Sequence, residues 1–205
     1  KYIFLCFKPK DLNSNLKTYN DLFDHNSIFY SILAGKPLTE IKKYFFNSNI
    51  LIRLMLNIPV SINSGTIIYY SLKNLNKNHL FLLNLLGKTY KLKNENFFDL
   101  VTTLVGSGPA YFYYLLEAME KAANFYGLNK GTTKKILKET FLGSAKIIDF
   151  VDKDFKYFRE SVTSKGGTTE AAIKSLEKKN FQKIIHNSIK DSVKKGKSFG
   201  SKKVK

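Results

Sequence analysis

The chain has 205 residues, 43% of them hydrophobic, and 34 Lys and Arg against 16 Asp and Glu give a formal charge of +18. That is apolar material for a real core in one or two domains, while its apolar runs are too short to cross a bilayer. One cysteine, Cys6, excludes an intramolecular disulfide framework and a cysteine-rich zinc site.

From Lys1 to about Leu92, short apolar runs alternate with helical stretches. Residues 2–7 are apolar at consecutive positions, the pattern of a parallel strand covered on both faces. Beyond Lys8-Pro9-Lys10, a helix is predicted from about Asp11, with Leu12, Leu16, Tyr19 and Phe23 on one face. Residues 28–33 form a second strand, closed by Ala34-Gly35. Pro37 opens a helix at its first turn, carrying Leu38, Ile41, Phe45 and Phe46. Residues 50–55 and 66–70 read as the third and fourth strands. Residues 78–86 read as a helix stopped by Gly87, and 89–92 as an edge strand. This alternation predicts a doubly wound α/β sheet.

From Phe97 onward the strands disappear. A helix is predicted over 109–126, where Phe112, Leu115, Leu116, Met119, Ala122, Ala123 and Tyr126 recur at helical spacing and Gly127 ends it. Others follow over 132–151, 170–176 and 181–195. In the last, Ser188 and Ser192 lie in the apolar stripe and allow close approach of a partner helix. The stripes are read as core, and the lysine-rich tail from Gly196 as frayed or solvated.

The positive charge would attract nucleic acid or an anionic membrane. The lysines are scattered over every element, however, and arrive with many Asn, Ile, Phe and Tyr, as compositional drift toward AT-rich codons produces. Neither a nucleic-acid nor a membrane partner is expected. His25, His79 and His186 have no spacing suited to a metal or a nucleophilic triad, and each is read as incidental. Cys6, inside an apolar run, is read as a small buried hydrophobe in a reducing, cytoplasmic setting.

Two loops can carry chemistry. The first, Thr102-Thr103-Leu104-Val105-Gly106-Ser107-Gly108-Pro109-Ala110-Tyr111, is a glycine-bounded turn feeding a helix, with Ser107 or Gly108 as cap. Alone it reads as a capped helix start after an interdomain linker. The second, Ser161-Val162-Thr163-Ser164-Lys165-Gly166-Gly167-Thr168-Thr169-Glu170, combines two glycines, several hydroxyls and a helix start. It is equipped to hold a small carboxylate, and reads equally as a capped loop. Neither loop has a histidine, carboxylate pair or metal set, so hydroxyls and N–H donors point to positioning, with a cofactor supplying the reactive power.

Taken together, Gly106-Ser107-Gly108-Pro109-Ala110-Tyr111 and, about fifty residues on, Val162-Thr163-Ser164-Lys165-Gly166-Gly167-Thr168-Thr169 resemble the signature of pyrroline-5-carboxylate reductases, close to SGSGPAY and VTSPGGTT. Phe141–Lys146 is similar to that family's LGAAK stretch, Phe7-Lys8-Pro9 to its VKP, Ser31–Gly35 to its AAG turn, and Arg53–Pro59 to its RxMPNTP.

The resemblance implies a partial Rossmann-like parallel-sheet domain over 1–95, an all-helical dimerisation and substrate-binding domain over 96–200, and a basic tail over 201–205. It implies hydride transfer from NADPH or NADH to the cyclic imine 1-pyrroline-5-carboxylate, giving L-proline, in a homodimer or a ring of dimers. Ser164, Gly166, Gly167, Thr168 and Thr169 would hold the substrate carboxylate. Thr102 would lie near the ring nitrogen, Ser107 would support its loop, and Lys8, Pro9, Ala34, Gly35 and Asn57 would line the nicotinamide side. Three departures stand out. Val105 replaces a serine, Leu56 and Ile58 replace the proline and threonine of MPNTP, and Lys165 stands where many members have proline. The glycine-rich pyrophosphate fingerprint is absent and the text starts inside a strand, so the chain is expected to be a fragment that binds dinucleotide poorly. A catalytically inactive relative serving as a dimerisation module is the alternative.

Overall fold

A computed structural model describes residues 1–12, 14, 27–44 and 50–201. Strands β1 (Tyr2–Leu5), β2 (Ile28–Ser31), β3 (Ile50–Leu56), β4 (Gly65–Ser71) and β5 (Gly87–Lys91) lie side by side in chain order. The first three are parallel, and Leu5, Ser31 and Arg53 share one register row. β4 and β5 are also parallel, but β3 and β4 run antiparallel. Their connection, residues 57–64, is far shorter than the roughly dozen residues that a parallel crossover needs. The predicted Rossmann-like sheet is therefore present with one antiparallel pair inside it.

Adjacent strand residues serve opposite faces. In β2, Phe29 packs with Leu5, Leu12, Leu33 and Ile41. Tyr30 joins Ile52, Leu54, Ile67, Tyr69 and Leu83 on the other side. Each such burial contributes about 1.5–3 kcal/mol before entropy is counted. Helix α1 (Leu38–Ile41) has Pro37 as its N-cap. Helix α2 (Lys77–Asn84) is capped by Asn76, whose side chain accepts from the N–H groups of Asn78 and His79. Gly65 and Gly87 pair at the start of β4 and β5. A Cβ on Gly87 would meet the Gly65 carbonyl oxygen at 2.0 Å, which only glycine avoids.

Strands indeed cease after β5. Helix α3 (Phe98–Val101) runs through a π turn (Thr102–Gly106) into α4 (Gly108–Phe125), and α5 (Lys130–Phe150), α6 (Phe155–Ser161), α7 (Thr168–Lys178) and α8 (Phe181–Ser201) follow. Helix α6 escaped the sequence reading, although Asp154 caps it with a side-chain oxygen 2.8 Å from the Tyr157 N–H. One compact unit comprises Lys1–Pro109 and the chain from Ser188 on; the other is Ala110–Asn187.

Three expectations need correction. Cys6 lies just beyond β1 and is exposed, because the strand ends at Leu5. The helical stripes are not core within one chain: Phe112, Leu115, Met119, Tyr126, Ile136 and Ile148 are all exposed. The chain beyond Gly196 continues α8 as regular helix to Ser201. Ser192 does admit a neighbouring helical segment closely, its hydroxyl 3.0 Å from that of Thr103. The expectations for Leu16, Tyr19, Phe23, Phe45, Phe46 and residues 202–205 lie outside the described residues.

Candidate active site

Within the sheet-bearing unit, the predicted cofactor-side residues gather at one edge. Lys8-Pro9, Ala34-Gly35 and Asn57 follow the carboxyl ends of β1, β2 and β3, and these strands are parallel. That edge is where open α/β sheets bind ligands. Pro9 begins a short 3-10 turn (Pro9–Asp11) with exposed Lys8 ahead of it. Gly35 is buried and left-handed, with φ 70°, so the chain reverses there without a side chain in the way. Asn57 Oδ1 accepts from the Thr66 N–H at 2.8 Å, which ties the exit of β3 to the entry of β4. A buried left-handed glycine in such a turn is compatible with close approach of a flat ring to the backbone.

The Thr102–Gly106 segment joins the same unit but is not the loop its glycines suggest. It is a π turn inside a continuous helix, with the Ser107 N–H donating to the Thr102 carbonyl at 3.1 Å. Pro109 explains it: a proline lacks the N–H and crowds the carbonyl four residues back, and a wider turn relieves that clash. A Cβ on Gly106 would come 3.0 Å from Met55 Sδ, so this glycine lets the turn sit against β3. The Thr102 hydroxyl donates to the Phe98 carbonyl at 2.8 Å. Its proton is thereby engaged, and Oγ1 is left as an acceptor. Ser107 is half-buried at the end of the turn.

In the helical unit, residues 162–167 form the turn between α6 and α7, and Thr168 and Thr169 open α7. Ser161 and Thr163 use their hydroxyls to close α6, bonding the carbonyls of Phe158 and Arg159. Ser164, Thr168 and Thr169 keep theirs free among the described residues, as are the N–H groups of Thr168 and Thr169. The other two N–H groups are occupied: Gly167 donates to the Ser164 carbonyl at 3.0 Å, and Gly166 to Glu170 Oε2 at 2.8 Å. Gly166 and Gly167 therefore contribute shape. Gly166 has φ 76°, and a Cβ on Gly167 would lie 2.6 Å from Ser164 Oγ. The Gly166 N–H and, second, Lys174 hold the Glu170 carboxyl below its usual pKa, so the turn already binds one carboxylate of its own chain.

Sequence reasoning missed Arg53 and Glu95. Arg53 is 3% exposed in the middle of β3, its Nη1 2.9 Å from Glu95 Oε1 and its guanidinium 4.1 Å from the Phe98 ring centre. Burial pushes its pKa down, with the hydrogen bond and charge of Glu95 and the charge of Asp99 pulling back. The signal was an arginine inside an otherwise apolar buried strand.

A mostly parallel sheet followed by an all-helical region is the architecture of a dinucleotide-dependent enzyme with a separate helical module. Residues 95–199 match the family described as pyrroline-5-carboxylate reductase dimerisation. The chain is 34% identical over 201 residues to pyrroline-5-carboxylate reductase 1 of Bacillus spizizenii, covering 96% of this chain and 67% of that protein. It is 33% identical over 196 residues to reductase 2 of Bacillus subtilis, covering 94% and 70%. The crystal structure of the Plasmodium falciparum pyrroline carboxylate reductase with NADP bound superposes with a TM-score of 0.87 at 26% identity, covering 97% and 81% of the two chains. The chain belongs to the pyrroline-5-carboxylate reductase family, and its helical region is a self-association module. No described helix is long and apolar enough to cross a membrane.

Proposed function

We propose that this protein reduces 1-pyrroline-5-carboxylate to L-proline with NADPH or NADH. The observation that carries this reading is the Ser164–Thr169 turn, which leaves three hydroxyls and two helix N-terminal N–H groups free for one small carboxylate. Bound at the sheet edge beside Lys8, Pro9, Ala34, Gly35 and Asn57, NADPH or NADH supplies the hydride.

The chain's own residues bind and orient. Ser164, Thr168 and Thr169 take the substrate carboxylate, and Gly166 and Gly167 give the turn its curvature. Thr102, with its proton turned to the Phe98 carbonyl, presents an oxygen lone pair to the N–H of the protonated imine. That keeps the ring nitrogen cationic and its carbon electrophilic. Ser107 supports the π turn. No protein nucleophile is required, because the rate gain comes from holding two reactants in attack geometry.

The proposal extends to a homodimer and a ring of dimers, supported by apolar side chains such as Tyr114, Phe125 and Phe150, which are 72%, 85% and 86% exposed in the single chain. It also includes a cytoplasmic setting, supported by a lone free cysteine, which suits a reducing compartment. The test is formation of L-proline from the imine by the protein expressed from its full gene. Absence of product with both NADPH and NADH overturns the reading.

A further inference from the structure

We propose that Arg53 and Glu95 are positioning residues for the reductase, setting the orientation of Thr102 through one continuous set of contacts anchored at the helix that follows the turn after β2. This rests on the functional reading in which Thr102 faces the imine and Ala34-Gly35 the nicotinamide.

The contacts run as follows. The first N–H of α1, that of Leu38, donates to Glu95 Oε1 at 2.8 Å. The same oxygen accepts from Arg53 Nη1 at 2.9 Å. The guanidinium lies over the Phe98 ring at 4.1 Å, and the Phe98 carbonyl takes the Thr102 hydroxyl proton at 2.8 Å. Each end of this chain of contacts is a proposed site element: Leu38 begins the helix that leaves the Gly35 turn, and Thr102 begins the π turn. Phe98 is 1% exposed, so its ring cannot move without moving the guanidinium.

Stability alone gives no reason for this arrangement. A buried ion pair repays its desolvation poorly, and apolar side chains of similar volume are often as stable or more so. Here one donor, Arg53 Nε, is buried with no acceptor among the described residues, a further cost. What a planar fork adds over any apolar side chain is direction: it fixes a carboxylate and an aromatic ring at set angles to each other. A shift of the Phe98 carbonyl would turn the Thr102 hydroxyl and spoil the lone-pair direction that the imine N–H needs.

The test is a double-mutant cycle of Arg53→Lys with Thr102→Val in the protein expressed from its full gene, with rates normalised to folded protein. Lysine keeps the charge but neither stacks nor presents a fixed fork. Arg53→Lys should lower kcat about 10-fold, short of the ~10²-fold that an ångström of misplacement costs. In the Thr102→Val background the same change should cost less than about 2-fold, because its effect passes through a hydroxyl already gone. Glu95→Ala should lower kcat similarly, and Glu95→Gln should recover most of that loss, since its amide oxygen can accept both bonds. Additive losses, or an Arg53→Lys rate equal to wild type, overturn the positioning role. A Thr102→Val variant as fast as wild type instead overturns the reading of Thr102, and the proposal with it.

Discussion

The Tyr30 hydroxyl and His79 Nδ1 share a hydrogen bond of 2.5 Å, joining the middle of β2 to α2 beside the second core cluster. His79 is buried, and that burial favours the neutral ring and holds its pKa below the ordinary 6.5. A histidine with a depressed folded pKa contributes stability above its unfolded pKa that is lost as pH falls through the folded value. Burial and, second, the charge of Tyr2 push Tyr30 to about 12 from 10. Its contribution is full below 10 and lost as pH rises through about 12. Thermal unfolding followed against pH should show stability falling below about 6.5 and again above about 10. Tyr30→Phe strands the imidazole nitrogen and should cost about 1–3 kcal/mol in denaturant unfolding.

Gly167→Ala places a methyl 2.6 Å from Ser164 Oγ and 3.1 Å from its carbonyl oxygen. The turn must open, and charge-assisted hydrogen bonds to the substrate carboxylate weaken. The KM for the imino acid should rise roughly 10- to 100-fold, as loss of about 1.5–3 kcal/mol implies. Circular dichroism should stay unchanged, because the clash is confined to the turn. An unaltered KM would place the carboxylate elsewhere.

Thr102→Val removes the Oγ1 lone pair while keeping the shape, and should lower kcat about 10²-fold, as expected for a preorganised dipole that stabilises the cationic ring nitrogen. Thr102→Ser can make the same bond to the Phe98 carbonyl and should retain most of the rate. Steady-state kinetics on both variants checks this.

Light scattering at micromolar concentration should return at least the mass of a dimer. Helices α4 and α5 carry large exposed aromatic side chains, among them Tyr114, Phe125 and Phe150. A monomeric mass would contradict the self-association assigned to residues 95–199.

Much of the fold was legible because strands buried on both faces write consecutive apolar residues, as 28–30 and 50–52 do. The antiparallel entry of β4 was in principle visible in the brevity of residues 57–64. The exposed helical stripes were misread as core because periodicity reports that a face will be covered, not by what. Gly106-Ser107-Gly108-Pro109 looked like a break in the chain, since glycine and proline usually end helices; here they shape a π turn within one. The hydroxyls of the Ser161–Glu170 run were visible in the text, but only coordinates separate Ser161 and Thr163, which close α6, from Ser164, Thr168 and Thr169, which stay free. Arg53 drew no role because its partner Glu95 lies 42 positions away in sequence.

The central claim is that the Ser164–Thr169 turn selects its substrate by the acid group. The most direct measurement compares NADPH or NADH oxidation by the full gene product on 1-pyrroline-5-carboxylate and on 1-pyrroline, the same ring without a carboxylate. The account predicts rapid turnover of the acid and a kcat/KM lower by about 10²-fold or more for the bare ring, the worth of two charge-assisted bonds. Equal turnover of both rings, or none with the acid, would contradict it.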